Sequence, residues 1–202
     1  YSAYAEAIVP LLRGKDLQLI IEPGRTISGN AGVLACKVSY IKTGGSKTFA
    51  IVDTGMHHLI RPSFYEGFHF AWPTQVSAEH VPDKRAMEMD LPGLKTYDVV
   101  GPICETSDTL AAGRALPELK RGDGLCFFTA GAYGMVMASN YNTMQRPPEV
   151  MVDGAKATVI RRRETYDDLV EQEREVTTIC PTLVRLLAAP GGPYNAGVYA
   201  AP

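Results

Sequence analysis

Glu22-Pro23-Gly24-Arg25 sets a carboxylate, a position without a side chain and a guanidinium within one turn of chain. Arg25 offers a planar fork that matches two oxygens of a carboxylate or phosphate, and Gly24 lets backbone N–H groups approach the same anion closely. A polar turn closed by a surface ion pair would use the same residues, so spacing alone leaves both readings open. His57 and His58 are adjacent; on a strand such neighbours face opposite ways and make a poor metal pair without further ligands. We expect no metal site here, and at least one of the two rings at the surface. Cys36, Cys104, Cys126 and Cys180 are far apart and form no C-x-x-C pair. They read as reduced cytoplasmic thiols, and a free cysteine commonly serves as a small core hydrophobe. Arg161-Arg162-Arg163 is followed at once by Glu164 and reads as a solvated face.

The elements that must position these residues fall into two kinds. Tyr4, Ala7, Ile8 and Leu11 have helical spacing, and Leu17-Gln18-Leu19-Ile20-Ile21 is a nearly continuous apolar run of strand length. That pattern is expected of a strand buried on both faces of a parallel sheet, and the carboxyl end of such a barrel strand is where Glu22 to Arg25 lie. A parallel strand needs parallel neighbours. The chain offers no further strand-helix alternation and begins as if mid-fold, so a preceding domain is expected. After Gly29 short β-rich runs alternate with turn signals: 32–42, 49–52, 68–72, 95–100, 124–128 and a hairpin over 149–160. These predict an antiparallel sandwich or barrel. Helices are expected at 106–116, on the spacing of Leu110, Ala111 and Ala115, and at 166–174; the polar stretch 75–93 reads as a surface excursion. Residues 1–30 thus form one part, 31–175 a β domain, and 176–202 a tail. The tail has no Asp, Glu or Lys and a single Arg185, and we expect it to be loosely ordered.

With 202 residues, 46% hydrophobic and 21% charged, the composition is that of a soluble globular protein. No apolar run nears the roughly 20 residues that span a bilayer. A net charge of −2 argues against a nucleic-acid or anionic-membrane surface, both of which need a basic excess.

Five segments in fixed order resemble the alanine-racemase-like, fold-type III pyridoxal-phosphate decarboxylases, and among them the diaminopimelate decarboxylase family. They are Glu22 to Arg25; Asp53-Thr54-Gly55-Met56 with Leu59-Ile60-Arg61-Pro62-Ser63-Phe64-Tyr65; Gly101-Pro102-Ile103-Cys104-Glu105-Thr106-Ser107-Asp108; Gly131-Ala132-Tyr133 with Met137 to Asn142; and Arg146-Pro147-Pro148-Glu149-Val150. The resemblance runs over residues 1–172. It implies a mainly β carboxyl-terminal domain preceded by the last helix and strand of a (β/α)8 barrel, and decarboxylation of meso-2,6-diaminopimelate to L-lysine, a step of lysine biosynthesis, with pyridoxal 5'-phosphate. By the same resemblance Glu22 stands near the pyridine nitrogen, Gly24, Arg25 and Tyr133 at the cofactor phosphate, and Arg25 and Tyr133 also reach substrate. Arg61 and Tyr65 take the distal carboxylate and Glu105 the distal ammonium. Cys104 serves the active site of a partner subunit, replacing carbon dioxide with a proton, so a cytoplasmic homodimer with shared sites is implied.

Diaminopimelate carries a second amino-acid head, so an extra cation is needed, and Arg61 supplies one. Ornithine-type relatives lack the Leu-Ile-Arg-Pro segment and usually carry Asp in place of Glu105. The sequence departs from the family pattern in two ways. His57-His58 stands where Asn-Asp is frequent, and no lysine matches the segment in which the family holds its cofactor covalently. The alternatives are a decarboxylase for ornithine, arginine or carboxynorspermidine, or a non-catalytic fragment that only dimerises.

Overall fold

The chain has one tryptophan, and its surroundings show how the sheet is filled. A computed structural model of the protein describes residues 2–174. Trp72 is buried, stacks on Phe70 with ring centroids 5.4 Å apart, and donates from its indole Nε1–H to the His80 carbonyl at 3.0 Å. Around it Val38, Val52, Leu59, Val99, Leu110, Leu116, Leu125 and Phe127 form one continuous core.

Among the described residues eight strands carry that core and a separate hairpin: β1 (Leu34–Gly44), β2 (Lys47–Val52), β3 (Ala71–Pro73), β4 (Lys95–Val100), β5 (Thr109–Leu116), β6 (Gly124–Phe127), β7 (Glu149–Asp153) and β8 (Lys156–Arg161). The first six form one sheet in the order β3-β6-β1-β2-β4-β5. Its two end strands, β3 and β5, approach each other, so the sheet is a nearly closed barrel. The expected antiparallel sheet is in fact mixed. β1·β2, β1·β6, β3·β6 and β4·β5 are antiparallel, but β2 and β4 run parallel, with Phe49, Ala50 and Ile51 opposite Asp98, Val99 and Val100. Residues 53–94 form the long crossover that parallel pairing requires.

Other expectations need correction. Residues 106–116 hold no helix: 109–116 is β5, paired with β4 through two irregularities in register. Each bulge breaks the period of two and sets neighbours such as Leu110 and Ala111 both inside, which imitates helical spacing. One bulge is pinned by Asp98, which accepts from the Gly113 N–H at 2.7 Å and pairs with Lys47 at 2.6 Å. The stretch 75–93 covers the core with Val76, Met89 and Leu91 rather than only skirting the surface, and the strand expected over 68–72 is confined to Ala71–Pro73. The apolar run 17–21 forms no strand, and Leu17, Leu19, Ile20 and Ile21 are exposed. A doubly buried parallel strand requires neighbours on both sides, and no strand among the described residues pairs with it.

The helices are short: α1 (Ser2–Leu12), α2 (Arg25–Ser28), α3 (Arg61–Tyr65) and α4 (Tyr166–Val170). Thr165 and Asp168 close a reciprocal capping box on α4, which ends in a 3-10 turn at Glu173. The chain divides into two compact units, residues 1–146 and a second beginning at Pro147 that holds the β7–β8 hairpin and α4. The tail expected over 176–202, with Cys180, lies outside the described residues. No helix among the described residues is long and apolar enough to cross a membrane.

Phe127 is fully buried at the centre of the core. Phe127→Ala should lower unfolding free energy by about 3–5 kcal/mol, read in urea by the fluorescence of Trp72; a loss below about 1 kcal/mol would mean that the core lies elsewhere.

Candidate functional site

Backbone contacts bring the 24–32 and 129–134 segments together. Ala130 N–H donates to the Gly32 carbonyl at 2.9 Å and Gly131 N–H to the Gly29 carbonyl at 3.0 Å. A Cβ at Gly131 would stand 2.1 Å from the Ser28 carbonyl, so the two segments pack main chain on main chain. Tyr133 leaves this seam in the left-handed region, φ 56°, a conformation that tertiary contacts must hold against a cost of about 1 kcal/mol. Its hydroxyl would lie 3.3 Å from a Cβ on Gly24. Gly24, itself at φ 53°, is thus both the start of α2 and the open face beneath the Tyr133 hydroxyl. Arg25 follows, its stem against Gly29.

Arg61 opens α3 and completes the group. Its guanidinium carbon lies 5.4 Å from the Tyr65 ring centroid and 5.9 Å from that of Tyr133, within range of cation–π attraction. The Nε of Arg61 is buried without a hydrogen-bond partner. Burial, and then the nearby positive charge of Arg25, push Arg61 below the ordinary arginine value. Neither arginine forms an ion pair among the described residues. Beside them His69, buried, donates from Nδ1–H to the Phe128 carbonyl at 2.9 Å, which leaves Nε2 a bare acceptor with no partner. Burial, despite that hydrogen bond, lowers the His69 pKa, and the charges of Arg61 and Arg25 add to the effect. Two guanidinium groups and two phenols, without a counter-charge among the described residues, offer an anion a cradle of donors. The remainder of α3 faces elsewhere: Pro62, Ser63 and Glu66 line a separate cavity of about 550 Å³ with Phe68, Ser107 and Arg114.

Cys104 and Glu105 lie on the 101–108 loop, both exposed, and no hydrogen bond, ion pair or ring contact joins either to the cradle. The loop is anchored by Asp108, 3% exposed, whose carboxylate accepts from Met56 N–H at 2.6 Å and Ile103 N–H at 2.7 Å. A Cβ on Gly55 or on Gly101 would come within 2.6 Å of that carboxylate. Glu22 is exposed and makes no hydrogen bond or ion pair among the described residues. Structure therefore brings Arg61, Tyr65 and Tyr133 together, with Gly24 under the Tyr133 hydroxyl and Arg25 near enough to act on Arg61, and gives Glu22, Cys104 and Glu105 no hydrogen bond, ion pair or ring contact with them. Sequence reasoning assigned no role to His69 or Asp108; the signal for Asp108 was its place at the end of the Gly101-to-Asp108 segment that resembles the family.

The histidine pair is also corrected. Neither ring is at the surface: His57 is 1% and His58 7% exposed. They sit in a turn, not a strand, with His58 N–H and Leu59 N–H both donating to the Gly55 carbonyl, so their rings face the same way with centroids 3.7 Å apart. His58 Nε2 bonds the Gln145 carbonyl at 3.0 Å and Nδ1 the Thr54 hydroxyl at 2.9 Å, whereas neither nitrogen of His57 has a partner. Among the described residues no three His, Cys, Asp or Glu side chains cluster as metal ligands would.

The family model for the pyridoxal-dependent decarboxylase C-terminal sheet domain matches residues 4–131. The chain belongs to this family. Diaminopimelate decarboxylase of Pseudomonas fluorescens is 49% identical over 170 residues, 84% of this chain and 38% of the relative. That of Aquifex aeolicus is 41% identical over 172 residues, covering 85% and 38%. Among solved structures, diaminopimelate decarboxylase from Helicobacter pylori complexed with L-lysine superposes with a TM-score of 0.69 at 38% identity, over 85% of this chain and 39% of that one. This sheet-domain chain thus spans about 38% of the length of the curated relatives it matches.

Burial, with a smaller contribution from the charge of His58, lowers the His57 pKa from 6.5 to about 4. The unfolded chain therefore binds more protons between these values, so stability is full above about pH 6.5 and falls as pH drops through that window. His57→Leu should remove up to about 3 kcal/mol of that fall, measured as the difference between the two proteins' urea midpoints at pH 7 and pH 4.5. Asp108, whose pKa is raised by burial despite its two N–H donors, acts in the opposite sense in both proteins and cancels. Equal pH slopes would contradict the assignment.

Proposed function

We propose that the chain is the sheet-domain part of a diaminopimelate decarboxylase, and that it supplies the anion contacts for pyridoxal phosphate and for the distal head of the substrate. The observation that carries this reading is the pair Arg25 and Arg61, near enough for the charge of one to act on the other and without an ion pair to neutralise either among the described residues. Isolated exposed arginines would cost nothing; two that are close together and partly dehydrated are maintained against repulsion, which an anionic ligand relieves. The 41–49% identity to relatives of that name points the same way.

Pyridoxal phosphate fits the cradle: phenol and guanidinium donors surround a glycine whose Cβ would fill the space under the Tyr133 hydroxyl. When bound, it would supply an electron sink for the pair left as carbon dioxide departs. Gly24, Arg25 and Tyr133 hold the phosphate, Arg25 and Tyr133 also reaching the substrate. Glu22 keeps a proton on the pyridine nitrogen. Arg61 and Tyr65 hold the distal carboxylate and Glu105 the distal ammonium, so the distal head is orientated by two opposite charges and a phenol. Cys104 delivers its Sγ proton to the carbon that carbon dioxide has left.

On this reading residues 1–30 close a (β/α)8 barrel, of which α1 and the exposed 17–21 run are the last helix and strand, and residues 31–175 form the sheet domain. Exposure of that apolar run is what an undocked barrel edge would display. Cys104 and Glu105 serve the site of a second copy in a homodimer, in keeping with the lack of contact between their loop and the cradle of the same chain. The free thiols of Cys36, Cys104 and Cys126 suit a reducing, cytoplasmic setting.

The full-length, cofactor-loaded protein should release carbon dioxide from meso-diaminopimelate with a kcat/KM at least about a hundredfold above that for ornithine or arginine. Arg61→Ala should lower the diaminopimelate value by about a hundredfold, the effect of losing a charge-assisted contact. If Arg61→Ala retained nearly full activity on diaminopimelate, the substrate assignment would fail.

A further inference from the structure

Tyr141 contacts a proposed specificity residue, yet it has no part in the cradle: its hydroxyl donates to Glu105 Oε2 at 3.4 Å. The segment that presents it is strained, with Asn142 and Thr143 at φ 55° and 59°, a conformation disfavoured for side-chain-bearing residues. Cross-links hold it in place. Asn140 Nδ2 donates to the Met144 carbonyl at 3.0 Å, and Arg146 Nε to the Ala138 carbonyl at 3.1 Å.

Two further contacts fix the loop to the turn after β2. Ser139 N–H donates to the His57 carbonyl at 2.8 Å, and His58 Nε2 meets the Gln145 carbonyl at 3.0 Å. A carbonyl can only accept, so Nε2 carries the hydrogen, and in the neutral ring Nδ1 accepts from the Thr54 hydroxyl. The 101–108 loop is fixed to the same turn, through Asp108 and the Met56 N–H. Residues 54–58 therefore index two loops at once, and those loops meet where Tyr141 touches Glu105.

We propose that Tyr141, set in place by His58, is a positioning residue for Glu105 and so a determinant of selectivity for substrates with a distal ammonium; this rests on the substrate reading above. A glutamate on an exposed loop has three rotatable side-chain bonds, and without a fixed donor its carboxylate samples several positions. A phenol on a loop fixed to the same turn as the glutamate's own loop selects one of them. This account also gives the unusual histidine at position 58 a role: it is the donor that secures the Tyr141 loop.

The test uses the full-length, cofactor-loaded protein with meso-diaminopimelate and with 2-aminopimelate, a diacid that lacks the distal amino group. Tyr141→Phe should raise KM for diaminopimelate about three- to tenfold, with kcat changed less than about twofold and 2-aminopimelate unaffected. Combined with Glu105→Gln it should add little further, as expected for two groups that act as one. His58→Leu should reproduce the Tyr141→Phe effect, whereas His58→Gln, whose Nε2–H can stand where the imidazole Nε2–H does, should largely restore the normal KM. Equal losses on both substrates, or none, would overturn the proposal. Amide hydrogen exchange across residues 103–107 supplies an independent readout, expected to quicken at least about threefold in Tyr141→Phe. Were the wild-type protein to turn over neither compound, the substrate reading alone would fall, and unchanged exchange would still defeat the positioning claim.

Discussion

β2 and β4 run parallel, and this single pairing decides where the chemistry-bearing segments go. Because the strands share a direction, with Ile51 opposite Val100, the chain leaves both at the same end of the sheet. The exit of β2 becomes the 53–58 turn and the exit of β4 the 101–108 loop. Asp108 locks the two together, one oxygen on Met56 N–H and the other on Ile103 N–H. A buried carboxylate is costly unless its oxygens are taken up by donors, and here the main chain provides them only while both exits keep their places. Gly55 and Gly101 leave the room for it.

From that lock the site residues follow as consequences of chain direction. The 53–58 turn leads directly into α3, which starts with Arg61, and its histidines hold the 138–146 loop. The 28–32 and 129–134 seam independently sets Tyr133 over Gly24. The result is a cradle whose charges are uncompensated within the described chain, and a separate loop with Cys104 and Glu105. Such an arrangement keeps like charges near each other against their repulsion, which a bound anion would relieve.

Much of this was legible in the residues. The β runs over 32–42, 49–52, 95–100 and 124–128 and the hairpin about Asp153-Gly154 appear where alternation and turn residues placed them, and Arg61 stands within cation–π range of Tyr65 and Tyr133. What was not legible depends on long-range pairing. Nothing in the stretch 49–52 says whether its neighbour will be parallel. The double bulge of β5 sets Leu110 and Ala111 to the same side and so mimics a helix. His57 and His58 were misread because a turn was taken for a strand, and a turn brings adjacent rings to one face. Asp108 closed a quoted segment but had no assigned role, since a carboxylate that accepts main-chain donors from two segments is visible only after both have been placed. Tyr141 was part of a quoted motif but had no assigned role until its partner on the other loop was seen.

The central claim is that each chain carries two half-sites, a cationic cradle and a proton-donating loop, and that a working site joins one of each from two copies. Mixing full-length Arg61→Ala protein with full-length Cys104→Ala protein, each inactive alone, under conditions that exchange subunits tests it most directly. Half of the random dimers would be heterodimers with one intact site each, so activity on meso-diaminopimelate should return to about a quarter of the wild-type value. No recovery, with heterodimers demonstrated by native mass, would mean that Cys104 acts within its own chain and that the divided site is wrong.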